Sequence, residues 1–211
     1  MDSEKADLLR RSRLYVIVSS RLCRRPLEDV VRGTLRGGAD VIQLREKDVY
    51  ESDFVSLARR LKKIVADAGR LFIVNDNPSV ALSSGADGVH VGQGDVPLLE
   101  CRLLLGPEAL IGVSTHDLEQ ARSAAEGGAD YLGFGPVFAT ATKPEAGAPR
   151  GVESLGVVAR SVSVPVFAIG GIAAATVSLA LGAGAHGIAV SSAVCAADDP
   201  EEATRAIRER L

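Results

Sequence analysis

Residues 37–42 read GGADVI, and the phrase returns along the chain. Residues 85–91 read GADGVHV, residues 127–134 read GGADYLGF, and residues 182–190 read GAGAHGIAV. Each time glycine stands where a helix should end, and an apolar run follows at once. Glycine suits a left-handed helix C-cap, and a short link then feeds a strand. This is the joint between helix and strand in a repeated βα unit. Four further apolar runs supply the alternate strands: LYVIV (14–18), LFIV (71–74), LIGV (110–113) and VPVFAI (164–169). Helical stretches lie between. In residues 51–67, Phe54, Leu57, Ala58 and Leu61 sit at the i, i+3, i+4, i+7 spacing of an amphipathic helix, with Ile64 and Val65 beyond them. Residues 117–126 and 200–211 also read as helix.

Eight continuous apolar strands alternating with helices mean a parallel sheet covered by helices. Closing that sheet gives a single-domain (β/α)₈ TIM barrel. An open doubly wound sheet is the alternative, but no GxGxxG turn follows the first strand, where VIVSSRLC (16–23) stands instead. At 211 residues the chain suits one such domain. Residues 1–13 form an N-terminal extension or helix, and the breaker-rich segment 139–151 reads as a mobile active-site loop.

Composition narrows the function classes. A net charge of −3 without a basic block gives nucleic-acid binding little support. Three widely spaced cysteines, Cys23, Cys101 and Cys195, have no metal spacing and read as reduced thiols of a cytoplasmic protein. The charged start and short first apolar run fit neither a signal peptide nor a membrane span. A homo-oligomer stays open.

In a barrel the chemistry stands at the C-terminal ends of the strands. Two patches collect there. Gln43, Arg45, Lys47, Asn75, Lys143, Asp76 and Asp95 mix cations with carboxylates, which suggests a highly charged anion and a divalent metal. Mg²⁺ prefers oxygen ligands and usually takes one or two carboxylates plus phosphate oxygens, so a diphosphate would satisfy the set. Gly170 and Gly171 with Ser191 and Ser192, after the seventh and eighth strands, suit a monophosphate. Each piece also has a simpler role. Asn75 and Asp76 could form a turn, Asp95 could cap a helix starting at Val96 or Pro97, and Ser191 and Ser192 could cap another. Arg45 and Lys47 could pair with Glu46 or Asp48, Gly170 and Gly171 could make a tight turn, and His90, His116 and His186 read as structural.

The strings QLREK (43–47), VND (74–76), GVHVGQGD (88–95), GVSTH (112–116), GPVFATATK (135–143) and AIGGI (168–172), in this order, resemble the thiamine-phosphate synthases. The resemblance runs from about Leu14 to the end of the chain. It implies a (β/α)₈ barrel that joins an aminopyrimidine diphosphate to a thiazole carrying a phosphooxyethyl arm, with Mg²⁺ as cofactor. By that resemblance Gln43, Leu44, Arg45, Glu46, Lys47, Asn75, Ser114 and Lys143 contact the pyrimidine diphosphate. Thr140, Ala141, Thr142, Gly171, Ser191 and Ser192 face the thiazole phosphate, and Asp76 and Asp95 hold the metal. Lys143, Arg45, Lys47 and Ser114 carry the catalytic work. Ser19 stands where many members have aspartate, and Ala139 where proline is frequent. The resembling thiazole tautomerase is a rival; it needs a base, and His116 is the only rim histidine on offer. A phosphosugar isomerase and a non-catalytic phosphate sensor are more distant alternatives.

Overall fold

The computed structural model describes residues 4–140, 142 and 147–211. The barrel begins with α1 (Glu4–Arg11), β1 (Leu14–Val18), α2 (Leu27–Arg36), β2 (Val41–Leu44), α3 (Glu51–Asp67) and β3 (Leu71–Asn75). It continues through α4 (Pro78–Ser84), β4 (Gly88–Val91), α5 (Leu98–Leu105), β5 (Leu110–Thr115), α6 (Leu118–Glu126) and β6 (Tyr131–Phe134). It closes with α7 (Gly151–Ser161), β7 (Val166–Ile169), α8 (Val177–Gly182), β8 (Gly187–Val190), α9 (Ser192–Cys195) and α10 (Pro200–Arg208). Every strand is parallel to its neighbours, and β8 pairs back onto β1, so the sheet is a closed eight-stranded barrel, not an open one.

Strand side chains alternate between two cores. Val16, Val18, Ile42, Leu44, Phe72 and Val74 point outward and pack under the helices. Tyr15, Ile17, Val41, Leu71, Ile73, Leu110, Tyr131 and Phe167 point inward and fill the barrel. Helix α3 shows the fit between pattern and packing: Phe54, Ala58, Leu61 and Val65 are buried against the sheet.

Most expected strands stand where the apolar runs placed them, with three differences, the first being that β3 runs one residue further, to Asn75. Strand β7 begins at Val166, not Val164. Pro165 has no N–H to give a ladder, although its carbonyl still accepts from Leu132 N at 2.9 Å. Strand β5 runs on to Thr115, because Ser114 and Thr115 continue the pairing opposite Gly133 and Phe134. The helix from 117 starts one residue later, with Asp117 capping it by accepting from Gln120 N. The helix expected over 200–211 ends at Arg208.

The recurring glycine phrase has a structural partner in its aspartate. Asp40 N donates to the Leu14 carbonyl, and the Asp40 carboxylate accepts from Leu14 N at 3.0 Å. Asp87 does the same to Phe72, accepting at 2.9 Å, and Asp130 to Ile111, accepting at 2.7 Å. Each aspartate therefore ties an even-numbered strand to the strand before it, at the N-terminal end of the barrel. Asp40 also accepts from Arg70 and Arg208, Asp87 from Lys62, and Asp130 from Arg102. In the fourth copy His186 takes the aspartate's place. Its N–H donates to Val166 O, but its side chain meets Arg13 instead.

Candidate active site

A cavity opens at the C-terminal end of the barrel. Gln43, Arg45, Asn75 and Ser114 line it from the ends of β2, β3 and β5. Thr140 and Thr142, after β6, line it together with Gly170, Gly171, Ser191 and Ser192 from the ends of β7 and β8. The alternation of β2 explains the first group, because Gln43 continues the inward row of Val41. Leu44 and Glu46 turn the other way. Leu44 is wholly buried among the outward apolar side chains, and Glu46 Oε1 accepts from Ser20 N at 2.7 Å. The structure thus does not bring these two side chains to the cavity. Lys47 is exposed on the loop after β2 and does not line it. Asp48 pairs with Arg21 at 2.8 Å across to the loop after β1. Lys143 and Ala141 lie outside the described residues, as do residues 144–146 of the expected loop.

Asn75 and Asp76 end β3 in an unusual way. Asp76 has φ +63°, left-handed backbone that few residues except glycine, asparagine and aspartate adopt. Asn77 N donates across it to Asn75 O at 2.8 Å, and Asp76 N donates to His90 O at 2.8 Å. The turn is real, but the residue capping α4 is Asn77, which accepts from Val80 N. Asp76 is thereby held at the end of β3 beside β4. Asp95 does not cap α5, which starts at Leu98 behind Pro97. Its carboxylate accepts from Gly92 N at 2.6 Å, so it folds back on the loop after β4. Neither carboxylate lines the cavity wall; both stand on adjoining loops of the same rim.

The other side of the cavity is made by close backbone approach. Val137 N and Phe138 N donate to Ile169 O and Gly170 O, laying the segment after β6 along the end of β7. A Cβ on Gly170 would meet Pro136, and one on Gly171 would meet Phe138 and Ala139. Both glycines also have positive φ, so this turn and this contact require them. Ser191 Oγ donates to Ile17 O at 2.9 Å, which anchors the start of α9 to β1. Thr142 Oγ1 lies 2.9 Å from Ser192 Oγ, and Thr142 N donates to Thr140 Oγ1 at 3.2 Å. The two groups of hydroxyls assigned to one phosphate by resemblance are therefore in contact.

Sequence reasoning put His116 on the rim and missed His90. His90 and His116 both line the cavity, so His116 is not alone there. His116 Nδ1 is 2.6 Å from Gly135 O. His90 packs against the Tyr131 ring, 5.5 Å between centroids, with Nε2 2.9 Å from Ser114 Oγ. The signal was available: His90 shares its inward parity on GVHV with the strand end below which it lies. Ser19 also lines the cavity and is buried.

Among the described residues no group of three or more His, Cys, Asp or Glu side chains gathers as a metal site, and no helix is long and apolar enough to cross a membrane. The cavity instead offers amides, hydroxyls and a guanidinium, with two carboxylates nearby. That is a polar rim with donors and acceptors for a hydrogen-bonding ligand.

Known proteins carry the same pattern. Residues 14–194 match the family model described as thiamine monophosphate synthase. A thiamine-phosphate synthase of Roseiflexus sp. is 50% identical over 195 residues, 92% of this chain and 83% of that protein. One from Moorella thermoacetica is 45% identical over 197 residues, 93% of this chain and 94% of its own. Among solved structures, a thiamine phosphate pyrophosphorylase from Pyrococcus furiosus superposes with a TM-score of 0.88 at 38% identity, covering 97% of this chain and 96% of its own. With barrel, rim and sequence in agreement over nearly its full length, the chain belongs to the thiamine monophosphate synthase family.

Proposed function

We propose that the chain condenses an aminopyrimidine carrying a diphosphooxymethyl arm with a thiazole carrying a phosphooxyethyl arm, releasing diphosphate and thiamine monophosphate. The observation that carries this reading is the division of one cavity into two polar sides. Gln43, Arg45, Asn75 and Ser114 lie on one, and the paired glycines with Ser191, Ser192 and Thr142 on the other. Two differently shaped anions need two such sides.

Mg²⁺ belongs to this proposal. The donor set fits it: Asp76 and Asp95 offer hard oxygens from adjoining rim loops, and Mg²⁺ commonly takes one or two carboxylates and completes its shell with phosphate oxygens and water. When bound, the ion neutralises charge on the departing diphosphate. The chain's residues do the rest. Arg45 and Lys47 grip diphosphate oxygens, and Lys143 keeps the same assignment from resemblance. Gln43, Asn75 and Ser114 orient the pyrimidine. The carbon–oxygen bond to diphosphate breaks with its electron pair leaving on oxygen. The ring amine feeds density into the resulting cation, and the thiazole nitrogen closes the new carbon–nitrogen bond. No protein nucleophile is needed. The work is electrostatic and positional.

The decisive assay incubates the purified protein with both substrates, with and without Mg²⁺, and follows thiamine monophosphate by mass spectrometry. Product formed only with Mg²⁺ is expected. Both substrates surviving intact would overturn the condensation. A thiazole isomer would then be sought, because His116, which lines the cavity and among the described residues engages only its Nδ1, offers the base that a tautomerase requires. Lys143→Ala is expected to lower kcat more than it raises KM for the thiazole; the opposite split would make Lys143 a thiazole-binding residue.

A further inference from the structure

Beneath the cavity one chain of hydrogen bonds crosses the barrel. Gln43 Nε2 donates to the Tyr15 hydroxyl at 2.7 Å. The Tyr15 and Tyr131 hydroxyls are 2.9 Å apart, and the Tyr131 hydroxyl is 3.3 Å from His90 Nδ1. His90 Nε2 is 2.9 Å from Ser114 Oγ. Gln43, His90 and Ser114 line the cavity, whereas Tyr15 and Tyr131 are buried below it. The path joins β2, β1, β6, β4 and β5, and it exists only because Gly112 lacks a side chain. A Cβ there would overlap both the Tyr131 ring and the His90 imidazole.

Such a chain has a direction. Burial raises both phenols well above their ordinary range, so both hydroxyls keep their hydrogen. Each phenol has one hydrogen to give. The Gln43 amide nitrogen donates to Tyr15 and cannot accept, so among the described residues the acceptor beside the Tyr15 hydrogen is the Tyr131 oxygen, and Tyr131 then has its own hydrogen for His90 Nδ1. A neutral imidazole that accepts at Nδ1 carries its hydrogen on Nε2. Nε2 then donates to Ser114 Oγ, and the Ser114 hydrogen is left for the cavity. At the opposite end Gln43 has committed its nitrogen downward and keeps its carbonyl oxygen for a ligand.

We infer that Tyr15, Tyr131 and His90 are positioning residues whose one-way hydrogen-bond chain presents Gln43 as an acceptor and Ser114 as a donor. The pair then reads a heteroaromatic edge that carries an exocyclic amine beside a ring nitrogen, and rejects the oxo counterpart with its reversed polarity. This inference rests on the pyrimidine reading above and names how the ring is selected.

Two measurements test it. The first is the ring ¹⁵N spectrum of His90 in the intact protein, which has only three histidines to assign. The Nε2–H tautomer is expected in the wild type, and a mixture in Tyr131→Phe. An Nδ1–H tautomer in the wild type would mean the chain runs the other way and would overturn the proposal. The second compares kcat/KM for the aminopyrimidine diphosphate and its oxo analogue. Tyr15→Phe, which keeps the ring's bulk, is expected to cut the preference for the amine about tenfold, one hydrogen bond's worth of discrimination, with KM for the thiazole phosphate unchanged. An unchanged preference would overturn the proposal, since a merely structural tyrosine would alter yield or Tm and leave that ratio alone. If the wild type turns over neither pyrimidine, the functional reading fails, and the tautomer measurement still decides the direction of the chain.

Discussion

Asp76 is the residue on which the site's logic is clearest. Its left-handed backbone costs on the order of 1 kcal/mol or more for a residue with a Cβ, and such strain persists where the surroundings hold it. Here Asn75 O and His90 O hold it from either side. Replacing it separates backbone from carboxylate. Asp76→Gly relieves the strain and is expected to keep or raise Tm, while turnover falls by about 10²-fold or more, the scale of losing one electrostatic stabiliser. Normal turnover in that variant would remove Asp76 from the proposed metal site. The sequence made the rim positions of Asn75 and Asp76 visible through an apolar run ending in polar residues. It could not show that Asn77, not Asp76, would take the capping role, because the two are neighbours with equal claims. His90 was hidden for a similar reason. A lone histidine in a strand reads as structural until the ring of Tyr131, forty-one residues away in sequence, is brought against it.

The recurring glycine–alanine–aspartate phrase behaves as an element in its own right. Its glycines were legible as helix ends, and the structure refines which one turns: Gly37 and Gly127 stay helical, and Gly38 and Gly128 take the positive φ. The aspartates were not legible, since each partner amide lies a whole βα unit earlier in the chain. The same rule limits boundary prediction elsewhere, as Ser114 and Thr115 joined β5 only once β6 was beside them. Asp40 is the most heavily engaged of the three, buried with two backbone amides and two arginines. Asp40→Ala leaves those groups unmatched. It is expected to lower stability by about 3 kcal/mol, the low end for a broken buried pair because both arginines are partly solvated. Per-molecule kcat should be unchanged below the melting range. Urea unfolding alongside initial rates would check both; a stable variant with impaired kcat would contradict the assignment of Asp40 to the fold alone.

Across the whole molecule the two ends of the barrel have separate duties. The aspartate ties and the ion pairs made to those aspartates gather at the N-terminal end, and the candidate site occupies the other. His186 belongs to the first end. Burial, then the neighbouring Arg13, lowers its pKa from the usual 6.5. A histidine depressed in the folded state takes up its proton more readily when unfolded, so its contribution is present above pH 6.5 and is lost as pH falls below it. The drop in Tm from pH 7 toward pH 5.5 should therefore be smaller in His186→Gln than in the wild type, with kcat alike at pH 7.5. Equal slopes would show that His186 titrates normally.

That histidine also marks where the barrel should breathe. Three of the four strand pairs are sealed by a carboxylate at their base, and the fourth, β7 with β8, is not. The same pair delivers Gly170, Gly171, Ser191 and Ser192 to the cavity. Segments that must admit and release a ligand are drawn from the less protected part of a fold. Amide hydrogens of β7 and β8 are expected to exchange with solvent faster than those of β1 to β4 in the free protein. They should slow most when the thiazole phosphate is added.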